Sequence, residues 1–514
     1  MQKGSPAPVV TSVNEEKGDR QKYASDSEIH SDLEESAPIA IPWSYKWIAL
    51  LCVVAFPVGQ TWTGSALGPL KNTLRIELGI TNTQFGVISS ADAIINSIWP
   101  IIGGMLLDWY GPDIIAPICT IVIFVGSIIS ACGININAWR MLTGGNILMG
   151  FGIAVLDSAT QKFFYHWFGS SGLALAFGLE SAVSKTVGLV SQLTAIPIKN
   201  GTGWYGWVFW ISVVFCGFSV LVTFTYLLFV RYFVPKSMHL TSLRSQALLE
   251  SKSMGKFRFR LSSLTDLPWA FWMLPMTQLL QSGAAGGFDT SSSDLIRMKG
   301  YSEEVSAYLS SADYVLPIVL SPVVGLLIDR YGHRFHYVAL APIFWIICCS
   351  LLGFTDLHPL VALVFSSLAG TINSMPLQIC IPLLLGGDQG KIGTAFGVWR
   401  AFNNSGSTIM DIVFGVLQDG TEDMGYDRVL KMAIGLKAWA FFLGLFYIFI
   451  DYTKLGKGMT MTLKQREARE SQIVDRKNDP LTSRAVKPWI TYTALAELIS
   501  IIIVAWVVFI KYLM

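Results

Sequence analysis

Hydrophobic and polar residues are arranged along this chain in long blocks. Apolar stretches recur from residue 44 onward, each near the ~20 residues a helix needs to cross a bilayer. They fall at about 44–67, 84–107, 114–132, 141–164, 172–196, 205–230, 269–288, 304–328, 337–354, 359–385, 392–417 and 432–451, with a thirteenth at 489–510. The blocks predict an all-α membrane protein, since a lone segment can satisfy its backbone in hydrocarbon only as a helix. Residues 1–42 are polar and mixed in charge, with no apolar run, and predict a disordered cytoplasmic tail in place of a signal peptide.

Composition sharpens this reading. The 514 residues are 52% hydrophobic and 14% charged, with mean hydropathy +0.50, against roughly 25% charged in soluble domains. A net charge of +2 offers no electrostatic footprint for nucleic acid. The seven cysteines lie inside apolar runs without metal-binding spacing. No Gly-rich phosphate loop, HExxH or nucleophile elbow appears, so neither an enzyme nor a cofactor is expected.

Two polar segments, 231–267 and 453–487, are rich in Lys and Arg. The positive-inside rule places both in the cytoplasm, with the N-terminus on the same side. Asn200-Gly201-Thr202, a glycosylation sequon in the loop after the fifth span, then falls on the lumenal or outer side. The resulting order is a tail (1–42), six helices (43–230), a cytoplasmic linker (231–267), six more helices (268–452), a cytoplasmic segment (453–487) and an extra membrane helix (488–514).

The strongest internal signal is a repeat. SSADAIINSIWPIIGGMLLDWYG at 89–111 matches SSADYVLPIVLSPVVGLLIDRYG at 310–332, so that Ser89, Asp92, Gly104, Asp108 and Gly111 meet Ser310, Asp313, Gly325, Asp329 and Gly332. The chain is thus expected to hold two six-helix halves in parallel repeat, an arrangement that binds substrate near the midplane between halves.

Gly325 to Arg334 (GLLIDRYGHR) is close to a full copy of G-x-L-x-D-[RK]-x-G-R-[RK], and Gly104 to Asp113 (GMLLDWYGPD) is a copy without the basic residues. On these residues the chain resembles the major facilitator superfamily over spans one to twelve. The resemblance implies a cytoplasmic latch in which Asp108 and Asp329, with Arg330 and Arg334, hold neighbouring helix ends. The superfamily's fourth-helix R-x-x-x-G-x-G has Asn146 in place of its Arg, which weakens drug–proton antiport.

Charge at membrane depth needs a partner or a water-filled cavity. Spans three, six and nine carry none, whereas Asp92, Asp157, Lys162, Glu180, Lys185, Asp313, Arg400 and Asp411 lie in spans two, four, five, eight and eleven. Those are the helices expected around a central path. Lys185 and Arg400 sit at similar depth in symmetry-related spans and suit an anionic or zwitterionic group. Glu180 and Asp157 suit an amine, or a salt bridge with Lys185. Gln60, Asn403 and Asn404 supply neutral lining. Asp92 and Asp313, each ~24 Å from a motif aspartate along the helix axis, are expected near the outer gate as braces, or as sites of proton coupling.

WFGSSGLALAFGLESAVSK, LSPVVGLLIDRYG, LHPLVALVFSSLAG, GTAFGVWRAFNNSG and TLKQREARE resemble the lysosomal dipeptide-carrier group of the superfamily. That resemblance implies a dipeptide uniporter with a glycosylated single-span accessory partner, Lys185 at the carboxylate-binding place and a lysosomal or vacuolar membrane. The group's fourth-helix acid is absent: Ala154 stands there, with Asp157 a turn later. The expected function is transport of a small polar metabolite by alternating access, foremost a dipeptide or amino acid. The alternatives are an organic-anion or monocarboxylate carrier, and a receptor or scaffold that has lost transport.

Overall fold

The structure is a computed structural model that describes residues 42–80, 88, 91–169, 172–235, 238–240, 262–385, 389–419, 421, 425–462, 464–465, 468 and 486–513. The expected tail, most of the linker and much of 453–487 lie outside these residues. Among the described residues there is no strand, and ten helices are long and apolar enough to cross a membrane. These are α1 (Trp43–Leu67), α3 (Pro112–Asn135), α4 (Trp139–Phe168), α5 (Leu173–Thr202), α6 (Gly206–Phe233), α8 (Tyr308–Tyr331), α9 (Arg334–Phe354), α10 (Pro359–Leu384), α12 (Asp427–Thr453) and the last, α13 (Pro488–Val507), whose helix runs on to Leu513. Between them lie α2 (Trp99–Tyr110), a broken α7 (Trp269–Met276, a π turn Leu279–Gly283, then Ala284–Met298) and α11 (Gln389–Asp419). Lipid-facing positions remain apolar: Val214, Leu221 and Phe449 are 70%, 68% and 63% exposed.

Several helices outrun their apolar blocks. α5 continues to Thr202, so Asn200 is exposed on its last turn and not in a following loop. Hydropathy marks where side chains become polar, whereas the backbone ladder continues until a cap or glycine stops it, here Gly203 with φ +73°. The seventh block, expected as one span over 269–288, is instead interrupted. Its Gln281 carbonyl, in the π turn, accepts from Lys437 Nζ of α12 at 2.5 Å and from Asn373 Nδ2 of α10 at 3.5 Å. Such donors re-satisfy backbone that has left the helix ladder.

Two seams join the halves, α2 against α11 and α5 against α8. Both are drawn tight at the end that carries the repeated motif. A Cβ on Gly104 would lie 2.3 Å from the Gly393 carbonyl oxygen, and one on Gly325 would lie 2.4 Å from that of Ala174. Glycine at these matching repeat positions lets backbone approach backbone, as membrane helices require at close crossings. α13 packs on α7 and α11 and reaches the other half through Trp506, whose Nε1 donates to Ser97 Oγ at 3.1 Å.

Candidate functional site

Half-way through the bundle, α1, α4, α5 and α11 bring four polar groups together. Arg400 lies about 16 Å along α11, and Lys185 about 18 Å along α5, from the motif end. Arg400 Nη1 pairs with Asp157 Oδ2 of α4 at 3.2 Å, their side chains 22% and 20% exposed. Gln60 Nε2 of α1 donates to the other oxygen of Asp157 at 2.8 Å. The Asp157 carboxylate is therefore held on both oxygens, by one residue from each half. Arg400 Nε and Gln60 Oε1 are buried and have no hydrogen-bond partner among the described residues.

α5 supplies the complementary charges. The Glu180 carboxylate is half-buried and feels the charges of both Asp157 and Arg400. Among the described residues it accepts no hydrogen bond. Lys185, also half-buried, makes no ion pair there either; its ammonium lies over the Tyr314 ring of α8, 4.6 Å from the centroid. Gln192 Nε2 holds the Tyr314 hydroxyl at 3.3 Å. Sequence reasoning singled out Gln60, Asp157, Glu180, Lys185 and Arg400 separately. The salt bridge weighed for Asp157 with Lys185 is instead made with Arg400, and Tyr314 was missed, although it follows the repeated SSAD directly. Asn403 is half-buried without a hydrogen bond among the described residues, and Asn404 Nδ2 donates to the Asn96 carbonyl across the α2–α11 seam at 3.3 Å.

The motif end is a separate set of contacts. Asp108 closes the start of α11: Gly393 N donates to Oδ1 at 2.9 Å, and Thr394 N and Oγ1 both donate to Oδ2 at 2.7 Å. Lys162 Nζ of α4 meets Oδ1 at 2.6 Å, the two side chains being 2% and 3% exposed. Asp329 repeats the arrangement at the start of α5, accepting from Ala174 N at 3.2 Å and Leu175 N at 3.0 Å. At the start of α5 the carboxylate satisfies orphan amides and the positive end of the macrodipole.

The remaining motif residues act elsewhere. Arg330 is exposed, with its guanidinium 5.5 Å from the centroid of the Tyr331 ring. Arg334, 3% exposed, donates through Nη1 to the Met459 and Met461 carbonyls, both at 3.3 Å. It pins the segment after α12, which Asp451 also holds through Met459 N at 2.9 Å and Thr460 Oγ1 at 2.6 Å. These contacts of Arg334 join the start of α9 to the segment after α12. Asp313 accepts from Ser366 Oγ at 2.5 Å and Ser367 Oγ at 3.0 Å, tying α8 to α10. Asp92 accepts from the adjacent Ala93 amide at 2.8 Å. The Asp411 side chain lies outside the described set.

Residues 50–410 match the family model of the Major Facilitator Superfamily. The chain belongs to the major facilitator superfamily. It is 22% identical over 385 residues to the lysosomal dipeptide transporter MFSD1 of Homo sapiens, covering 72% of this chain and 79% of that one. The Danio rerio protein of the same name is 23% identical over 389 residues, with 72% and 80% covered. Among solved structures, the transporter FucP in its outward conformation superposes with TM-score 0.56 at 16% identity, over 78% of this chain and 98% of that one. The human organic anion transporter MFSD10 gives 0.53 at 14% identity, over 78% and 98%. This superfamily member is a multi-pass membrane transporter and not an enzyme. The matched segment ends before α12 and α13.

Proposed function

We propose that the protein carries a small zwitterionic solute, a dipeptide or an amino acid, by alternating access between its two halves. One observation carries this reading: α5 presents Lys185 and Glu180, two opposite charges at mid-depth, neither neutralised by an ion pair among the described residues. A buried charge without a counter-charge is costly, and a solute with both an ammonium and a carboxylate removes both costs at once. Lys185 takes the carboxylate, with Tyr314 beneath it limiting the ammonium's freedom. Glu180 takes the amine. Arg400 and Asp157 neutralise each other and form one wall.

The MFSD1 relatives support a dipeptide and a lysosomal or vacuolar membrane. The solute is the site's own counter-charge, which makes facilitated transport the simplest mode, without an obligatory proton. A glycosylated accessory subunit and a glycan on exposed Asn200 remain parts of this proposal that follow from the resemblance and the sequon. The second reading is an organic-anion carrier, favoured by the Lys185 ammonium, which makes no ion pair among the described residues.

The test is a thermal-shift screen of the purified protein against dipeptides, free amino acids and monocarboxylates. A ligand that binds only the folded form stabilises it, by about 2.7 kcal/mol at a hundred times its Kd, and so raises the melting temperature. Stabilisation by dipeptides that is lost when either terminus is blocked supports the zwitterion site. A shift with monocarboxylates alone transfers the assignment to the anion reading.

A further inference from the structure

At the α2 corner the motif places Trp109, Pro112 and Asp113 where the full copy in the second half has Arg330, His333 and Arg334. The corner's own segment is thus left with acids and no base. The structure supplies the missing charge from another helix. Lys162 lies ~35 Å along α4, fully sequestered, with its ammonium 2.6 Å from Asp108 Oδ1. The charges of His239 and of Lys162 both act on Asp113, whose Oδ1 is buried without a hydrogen-bond partner among the described residues.

The four donors on Asp108 divide by half. Gly393 N, Thr394 N and Thr394 Oγ1 belong to the second half, whereas Lys162 belongs to the same half as Asp108. If the halves rock, as the proposed function requires, the first three leave when the seam opens and water replaces them. Lys162 stays. Its effect is therefore greatest in the closed state, where Asp108 is 2% exposed and no water shares its charge. Backbone amides alone leave a dehydrated carboxylate with a whole uncompensated charge, the situation that costs most in a buried site.

We propose that Lys162 is a latch-positioning residue: it is the counter-charge that lets Asp108 lose water and dock on the start of α11, so that it biases the carrier toward the state closed at the motif end. The inference rests on the alternating-access reading but concerns a different set of residues from the solute site.

The test follows the width of the motif end in lipid nanodiscs. Spin labels go on Ile114→Cys in the first half and Tyr331→Cys in the second, which are 47% and 50% exposed, with half-buried Cys52 and Cys132 changed to Ser. Pulsed dipolar spectroscopy then gives the ratio of long to short distances without any solute. Lys162→Met is expected to raise that ratio at least tenfold, and Lys162→Arg to leave it within about twofold. The double variant Asp108→Asn/Lys162→Met removes both charges and is expected to return the short distance, since a neutral pair has no charge to dehydrate.

Should Lys162→Met be too unstable to isolate, the double variant decides. A folded, closed double variant supports the proposal, whereas a double variant that is open or equally unstable assigns Lys162 to packing and overturns it. An unchanged ratio in Lys162→Met also overturns it. If Asp329→Asn opens the motif end while Lys162→Met does not, the rocking mechanism stands and the role of Lys162 falls. If no variant lengthens the distance, both fall.

Discussion

The motif end and the middle of the bundle spend their charges differently. At the motif end Asp108 is closed off from water and meets four donors, three of them from the other half. In the middle, the Asp157–Arg400 pair is one-fifth exposed, and on α5 Lys185 and Glu180 remain without ion pairs among the described residues. The same helices serve both regions: α4 carries Lys162 and Asp157, and α11 carries Thr394 and Arg400. What separates them is satisfaction. Saturated charges make a junction, and charges left open await a ligand.

Substitutions can break this contrast from either side, and the motif end should respond most. Asp108→Ala leaves the Lys162 ammonium buried near the start of α11, without its ion-pair partner. Breaking a buried pair from one side costs about 3–5 kcal/mol. The largest fall in thermal stability is therefore expected here, measured by the melting temperature of the detergent-purified protein. A drop no larger than the ~1 kcal/mol of an ordinary hydrogen bond would mean that the buried ion pair adds little to the junction.

Much of this organisation was legible in the sequence, for a physical reason. Bilayer thickness imposes a block length that hydropathy reveals, and duplication left the SSAD and GxLxD segments in register at Asp92/Asp313 and Asp108/Asp329. Charges at depth were also visible one by one. Their partners were not. Lys162 with Asp108, and Arg400 with Asp157, are made across helices by packing that no local pattern encodes. The interruption of α7 was hidden for the same cause, because its π turn leans on Lys437 and Asn373 from two other helices. Arg334 is a further case: its bonds to the Met459 and Met461 carbonyls form because the chain after α12 folds back over the α8–α9 corner, a return that no local pattern encodes.

The Asp157–Arg400 pair sits between the two extremes. It links the halves as the latch does, yet it is partly open to the site. Arg400→Met leaves Asp157 with the Gln60 amide alone, and hydrogen bonds to charged groups contribute about 1.5–3 kcal/mol. A moderate loss of stability is expected together with weakened solute binding. Asp157→Asn/Arg400→Met, which removes both charges, should recover stability but not binding. Recovery of both would make the pair a strut that the solute never touches.

The smallest effect on stability, and the sharpest test of the contrast, belongs to Lys185. Its ammonium meets only the face of Tyr314 among the described residues, a contact that contributes about 0.5–1 kcal/mol at partly exposed sites. Lys185→Met keeps the stem and removes the charge, so the melting temperature without solute should stay close to that of the parent. A site that holds a carboxylate through this ammonium loses at least tenfold in affinity, about 1.4 kcal/mol or more, when the charge is gone. Uptake of a labelled dipeptide into proteoliposomes should fall accordingly, and Lys185→Arg should restore part of it. If Lys185→Met were instead as destabilising as Asp108→Ala, its charge would belong to the scaffold, and the distinction between saturated junction and open site would not survive.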